Sequence, residues 1–335
     1  VALGRLAAIA MLAVGLAGCS FGLSPDLMTT PGPSSGRRDM PGHVYLLRGL
    51  IGDIFSLGMD DLAEKIRQRG IRASVHGVSA ARVLADAIIA KYRSEPSLAP
   101  IVLIGHSTGG DEIIVMAERL KAANVPVALA VGFDPTPIAR DVPSNVELFI
   151  NLYQATNLIG GGRATPGPGF RGRLINVDLR DRREIVHITL DKSKVLHDLL
   201  IEKIVAIAEA SALHQQTRVA APAAKRKGRG TPEAETVRPL VMKYVVPSHE
   251  PIRLWDSAWS ITPAAGDTLD SISAKYGAPA WAIAQVNNLD ERGALPRERR
   301  LLIPYSIDVP GRVHDANGTG EPTLGAARAL SPALR

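Results

Sequence analysis

The sequence holds a single cysteine, Cys19, in 335 residues. One thiol forms neither an internal disulfide nor a cysteine metal cluster. Aromatic residues are scarce as well, at 4%, so any substrate pocket is expected to be aliphatic. Nothing in the residues asks for a metal or a cofactor. Charge is thin at the N-terminus, where Arg5 is the only charged side chain in residues 1–18. That apolar run follows a cation and is too short to span a membrane, so it reads as an export signal.

The formal net charge is +6, and its location decides what it means. Arg218, Lys225, Arg226, Lys227, Arg229 and Arg238 face only Glu233 and Glu235 in a stretch rich in Ala, Pro and Gly. Much of the excess therefore sits in a linker, where it reads as a solvated spacer or a contact for anionic lipid or wall polymer. Nucleic acid is set aside as a partner for an exported chain.

The stretch that organises the rest is Ile101-Val102-Leu103-Ile104-Gly105-His106-Ser107-Thr108-Gly109-Gly110. An apolar run ends in Gly-x-Ser-x-Gly and a helical pattern follows, which is the sequence form of a nucleophile elbow. Around it, strand and helix patterns alternate. Strands are expected at 43–47, 71–75, 100–104, 127–133, 146–152 and 173–179. Helices are expected at 57–69, 80–92, 112–123 and 193–210. Such alternation implies right-handed crossovers and a mostly parallel sheet. Ligands of such sheets sit at the carboxyl ends of the strands.

Two residue types, an acid and a histidine base, can complete a serine nucleophile there. Asp134, in Gly132-Phe133-Asp134-Pro135, ends the strand after the elbow helix, with Asp178 and Asp181 as fallbacks. His187 lies between the last strand and the closing helix, with His197 as the alternative base. His43 and His76 fall at strand edges and read as structural, and His106 as the variable residue of the elbow. Asn157 to Gly172 is rich in Gly and Pro. It is expected to be a mobile loop, with or without a gating role.

Residues 42–212 resemble an α/β-hydrolase of the lipase/esterase type, whose catalytic residues run Ser, then Asp or Glu, then His. Ser107, Asp134 and His187 stand in that order. The resemblance implies an oxyanion hole from the backbone N–H groups of Thr108 and Leu50. Here Arg48-Gly49-Leu50 replaces the family's His-Gly-x, and Arg48 is expected to pair with a substrate acid or with Asp53. The implied reaction is acyl transfer on an ester, with amide and thioester substrates left open. The shortness of the chain points to an esterase rather than an interfacial lipase.

Two further resemblances frame this domain. Leu16-Ala17-Gly18-Cys19 resembles the lipobox of bacterial lipoproteins, implying a signal peptide over 1–18, acylation of Cys19 and attachment to the cell envelope through palmitate-type chains. Residues 19–41 then read as a flexible tether. Beyond the linker at 213–240 comes a bridging segment at 241–257, with a strand expected at Met242–Val246. Residues 258–306 resemble a LysM domain, a small βααβ module, and 307–335 read as a disordered tail. The matching residues are Gly266-Asp267-Thr268-Leu269, the turn at Asn287 and Ile303-Pro304. The family's glycine before the last strand is missing from Arg297-Glu298-Arg299-Arg300. The resemblance implies binding of peptidoglycan or another N-acetylglucosamine glycan through Gly266, Asp267, Thr268, Leu269 and Asn287. The alternative to an enzyme is a non-catalytic anchoring lipoprotein in which the hydrolase fold is only a scaffold.

Overall fold

The computed structural model describes residues 39–50, 56–138, 141–220, 239–293, 295–296, 299–309 and 312–313. Cys19, Asp53, the signal expected at 1–18 and most of the expected tether, linker and tail lie outside these residues.

In chain order the elements are β1 (His43–Leu47), α1 (Gly58–Gln68), β2 (Arg72–His76), α2 (Ala81–Tyr92), β3 (Ile101–His106), α3 (Thr108–Ala122), β4 (Leu129–Phe133) and β5 (Asp141–Val142). Then come β6 (Leu148–Tyr153), β7 (Thr165–Pro166), β8 (Arg173–Asp178), α4 (His187–Leu190), α5 (Lys194–Ala220) and β9 (Leu240–Val245). The C-terminal part holds β10 (Ser257–Ile261), α6 (Leu269–Tyr276), α7 (Ala280–Asn287), β11 (Leu301–Tyr305), β12 (Ile307–Val309) and β13 (Arg312–Val313).

Seven parallel strands form the main sheet in the order β2-β1-β3-β4-β6-β8-β9. Helices cover both faces, α1 and α5 on one and α2 and α3 on the other. A strand covered on both faces reads as an unbroken apolar run, and β3 and β6 are buried at every position. The order reverses between β1 and β3, so successive crossovers leave in opposite directions. The loops after β1 and β3 therefore part above the sheet and leave a crevice.

The seventh strand departs from the sequence reading. Residues 241–257, expected as a bridge, begin with the strand that pairs Leu240–Val245 with Arg173–Asp178. The hydrolase sheet is thus not complete at residue 212. Met242, Tyr244 and Val246 fill the same core as Ile175 and Ile204. Alternation in Leu240–Val245 is imperfect, which hid its place in the sheet.

β9 also mounts the C-terminal module. The Gln285 side chain of α7 accepts from Val245 N at 2.7 Å and donates to Val245 O at 3.1 Å. This extends hydrogen bonding past the sheet's edge and blunts it. Tyr244, Trp255 and Trp281 form a cluster with ring centroids 4.9–6.4 Å apart. Beneath it, the buried Asp256 carboxylate meets Lys203 Nζ at 3.0 Å and Arg173 Nη1 at 3.3 Å. A buried carboxylate needs such partners, since desolvation alone would disfavour its charge. The module itself is β10-α6-α7-β11, with the two strands antiparallel.

Candidate active site

Ser107 has φ 55 and ψ −125, a strained backbone for a residue with a Cβ. The strain is held by close packing of β3 against α3. A Cβ on Gly105 would lie 2.1 Å from Gly109 O, and one on Gly109 would lie 2.5 Å from Leu47 O. Both glycines are therefore demanded by the crossing of strand and helix. Ser107 N donates to Phe133 O at 2.9 Å, tying the turn to β4.

Among the described residues the serine hydroxyl has one side-chain partner. His187 Nε2 lies 3.1 Å from Ser107 Oγ, and His187 Nδ1 lies 2.8 Å from Asp134 Oδ2. The nucleophile follows β3, the acid follows β4 and the base opens α4 after β8. The structure thus brings Ser107, Asp134 and His187 together at the carboxyl ends of the strands. His187 starts a short helix rather than lying in an open loop.

Asp134 is completely buried and has a positive φ of 45. Its carboxylate accepts four hydrogen bonds. Oδ1 takes Gly161 N at 2.7 Å and Gln154 N at 3.1 Å. Oδ2 takes Asn157 Nδ2 at 2.5 Å as well as His187 Nδ1. Hydrogen bonds to a charged acceptor are the strong kind, and they hold this carboxylate in place away from water.

Those donors correct the reading of the Gly-rich segment. Residues 157–162 pack onto the acid. A Cβ on Gly160 would sit 2.4 Å from Asp134 Cγ, and one on Gly162 would sit 2.1 Å from Thr136 O. Gly161 has φ +85. The triplet was read as freedom of motion, whereas here the missing side chains permit contact. A second anchor lies below. Asn151 donates to Gly162 O and to Asn176 Oδ1, and Asn176 exchanges two bonds with Ala164. None of these partners was picked out from the sequence. The available signal was Asn157 and three glycines one strand after the acid.

The fallbacks are engaged elsewhere. His197 is buried, with Nε2 2.6 Å from Asp191 O and Nδ1 3.1 Å from Lys65 Nζ. Burial lowers its pKa, and it makes no bond to Ser107, so it is not placed as the base. Asp178 accepts from Ala155 N and from the Arg180 backbone and side chain. Asp181 is exposed. His43 and His76 both bond Ser74 Oγ.

At the first loop, Gly49 presses on the elbow, where an added Cβ would lie 3.2 Å from Ser107 Cβ. Leu50 follows with its side chain exposed. Arg48 forms a bidentate pair with Asp60 in the first turn of α1, at 3.0 and 2.6 Å, a partner the sequence did not suggest; Asp53, the expected one, lies outside the described residues. Thr108 begins α3 directly after the serine, and its hydroxyl is buried without a partner among the described residues. The N-terminus of α3 thus leaves backbone N–H groups and positive dipole beside Ser107.

In the C-terminal module, Gly266, Asp267 and Thr268 lie at the surface, but Leu269 and Asn287 do not. Leu269 belongs to the module's core. Asn287 donates to Ile283 O and Leu302 O, both at 2.7 Å, and accepts from Leu302 N at 2.8 Å. Its amide joins α7 to β11 and has no face left for a glycan. Thr268 caps α6 by a reciprocal pair with Ser271, a capping box.

Among known proteins, residues 264–304 match the family model of the LysM domain. No curated protein sequence matches the chain. Of solved structures, a putative hydrolase of the alpha/beta superfamily from Xanthomonas campestris pv. campestris is 15% identical. It covers 52% of this chain and 99% of its own, with a TM-score of 0.29. A metagenomic carboxyl esterase is 15% identical over 46% of this chain and 56% of its own, with a TM-score of 0.26. RedJ, solved with a polyethylene glycol molecule in its active site, is 13% identical over 34% of this chain and 54% of its own, with a TM-score of 0.24. The chain spans about half the length of RedJ and of the carboxyl esterase. The parallel sheet with its serine elbow after the third strand, and the match at its C-terminal end, make this an α/β-hydrolase-type fold followed by a LysM domain.

Proposed function

We propose that the chain is a serine hydrolase of the bacterial cell envelope that cleaves an acyl ester and uses its LysM domain to hold peptidoglycan. The observation that carries the reading is the unbroken chain Asp134–His187–Ser107 at a strained elbow. Asp134 accepts the proton-bearing Nδ1 of His187, leaving Nε2 bare toward Ser107. Ser107 attacks the acyl carbonyl while Nε2 takes its proton. The N–H groups of Thr108 and Leu50 receive the oxyanion. The alcohol leaves with the proton from His187, and water attacks the acyl-enzyme by the same route.

The surroundings favour an apolar acyl group. Leu50, Ile138, Leu158, Ile159, Val186 and Ile188 are exposed, and each lies within four residues in sequence of a triad residue, a donor to Asp134 or the oxyanion loop. In water such side chains are left uncovered at a cost. An acyl chain laid across them would recover that burial. This supports an apolar acyl substrate, in keeping with the aliphatic pocket expected from the scarcity of aromatics.

For the wall, the surface loop Gly266–Thr268 is the glycan-facing part of the reading. For the membrane, Cys19 is the acylated residue. A fluorophosphonate probe tests the enzyme: the chain lacking residues 1–19 should label at Ser107 and cleave nitrophenyl esters, and Ser107→Ala should do neither. A folded chain that does not label leaves only the scaffold reading. The LysM arm is tested on the same whole chain by co-sedimentation with insoluble peptidoglycan, because α7 packs against β9 and would be stripped bare in an isolated module.

A further inference from the structure

The residue before the nucleophile carries a polar chain that the proposed mechanism does not use. His106 is buried, at the end of β3. Its Nδ1 lies 2.8 Å from Ser56 Oγ, and its Nε2 lies 2.9 Å from the backbone oxygen of His187. Ser56, also buried, accepts the backbone N–H of Gly49 at 3.1 Å. These contacts run from the loop after β1, beneath the elbow, to the first residue of α4.

The direction of each bond follows from chemistry. A carbonyl oxygen only accepts, so Nε2 of His106 carries the proton. Burial lowers the pKa of the ring to about 4, so it is neutral near pH 7 and Nδ1 is a bare acceptor. Ser56 therefore donates its hydroxyl proton to Nδ1. The free lone pairs of its oxygen then accept from Gly49. With Gly49 N–H engaged, the next amide among the described residues of this loop, that of Leu50, is the one placed to meet a developing oxyanion.

We propose that His106 is a positioning residue for acyl transfer, holding the oxyanion loop through Ser56 on one side of Ser107 and the backbone of the base through the His187 carbonyl on the other. This rests on the Ser107–His187–Asp134 reading and adds to it. An apolar side chain could fill the same space but would leave two polar groups unanswered, the Ser56 hydroxyl and the His187 carbonyl. The His106 ring does not bond Ser107 and stands 5.1 Å, centroid to centroid, from the His187 ring. It acts through those two segments and touches no reacting atom.

The two halves separate by mutation. His106→Gln places an amide N–H where Nε2 stands and loses the acceptor for Ser56. His106→Asn keeps an acceptor where Nδ1 stands and loses the donor to His187. Ser56→Ala removes the hydroxyl that accepts from Gly49. Each variant of the chain lacking residues 1–19 is normalised by fluorophosphonate titration of Ser107. It is then measured for kcat and KM on a nitrophenyl ester and for affinity toward a trifluoromethyl ketone, whose adduct carries the oxyanion. Deleting an oxyanion donor costs about 10²–10³-fold, and displacing one should cost about tenfold or more.

The expected result is a loss of about tenfold or more in kcat and in ketone affinity for Ser56→Ala and His106→Gln, with KM nearly unchanged. The Ser56→Ala/His106→Gln double variant should be no worse than either single one, because both break one path. His106→Asn should keep the ketone affinity and lose kcat. Unchanged kcat per titrated site in Ser56→Ala and His106→Gln would overturn the proposal, as would losses that simply multiply in the double variant. A wild-type chain that fails to label at Ser107 sinks the triad reading first, and this proposal with it.

Discussion

Asp134→Asn is the change that most directly tests the site. The carboxylate is fully buried between two kinds of donor. Gln154 N and Gly161 N, on Oδ1, are backbone groups that cannot turn away. An asparagine must therefore keep its oxygen toward them and point its NH₂ where Oδ2 now stands. That NH₂ faces His187 Nδ1 and Asn157 Nδ2. His187 can answer only by presenting a bare Nδ1, which puts its proton on Nε2, facing Ser107. The base is then in the wrong tautomer while every heavy atom stays near its place. In the Ser-His-Asp arrangement this inversion costs about 10⁴ in kcat, or about 5 kcal/mol of transition-state stabilisation. Asn157 must also turn its amide, abandoning its bond to Ile159 N, so folding stability should fall by about 1–3 kcal/mol. The assay is nitrophenyl ester turnover per folded molecule, with urea unfolding in parallel. A folded Asp134→Asn variant with kcat within about tenfold of wild type would refute the role given to Asp134 and the tautomer argument.

Four other outcomes follow from the same contacts. Gly160→Ala drives a Cβ against Asp134 Cγ; it should cost about 1–3 kcal/mol and lower kcat, and a variant unchanged in urea unfolding and turnover would contradict the packed loop. Lys203→Met takes one cation from the buried Asp256 carboxylate, which keeps Arg173 at 3.3 Å, and should destabilise by about 3 kcal/mol in a denaturant titration, whereas a loss well below that would remove the buried pair from the account of how the LysM domain is mounted. Asn287→Ala breaks three hydrogen bonds and should cost about 2–3 kcal/mol, seen as lost amide-exchange protection across α6, α7 and β11; retained protection would return Asn287 to the list of glycan contacts. Asp191 is buried and its pKa is raised to about 6 by desolvation. Its folded form holds the proton more tightly than the unfolded chain does, so its contribution falls as pH rises from about 4 through about 6 and is flat above. Asp191→Asn should gain on wild type over that window, and a constant difference across it would be inconsistent with the buried charge.

The legible parts of this sequence were those where local pattern and tertiary role coincide. Ile101–His106 reads as a buried strand because both its faces are covered. The glycines at 105 and 109 announce the elbow because nothing larger fits the crossing. Asp134 and His187 could be named from their positions at strand ends, since a parallel sheet gathers such ends at one edge. What escaped depends on partners distant in sequence. His106 and Ser56 are fifty residues apart, and no periodicity joins them. Gly160-Gly161-Gly162 has the composition of a mobile loop, and only the Asp134 carboxylate above it reveals why side chains are excluded. Asn287 matches a family turn, yet its amide is closed on Leu302. A strand near β9 was expected, but its place at the edge of the main sheet was hidden by the linker before it, which suggested that one domain had ended.

That last strand changes what a cut in the chain would mean. The backbone between Ala220 and Leu240 is a single covalent thread, while the pieces on either side share a parallel ladder, the Lys203–Asp256 pair and a common core. A protease nicking the basic stretch would sever the polymer without dismantling the sheet. The fragments would behave as a split protein, each supplying part of one fold. In a chain that emerges from its N-terminus first, Arg173–Asp178 precedes its edge partner Leu240–Val245, so that edge has no strand to pair with until the segment leading into the LysM domain has emerged.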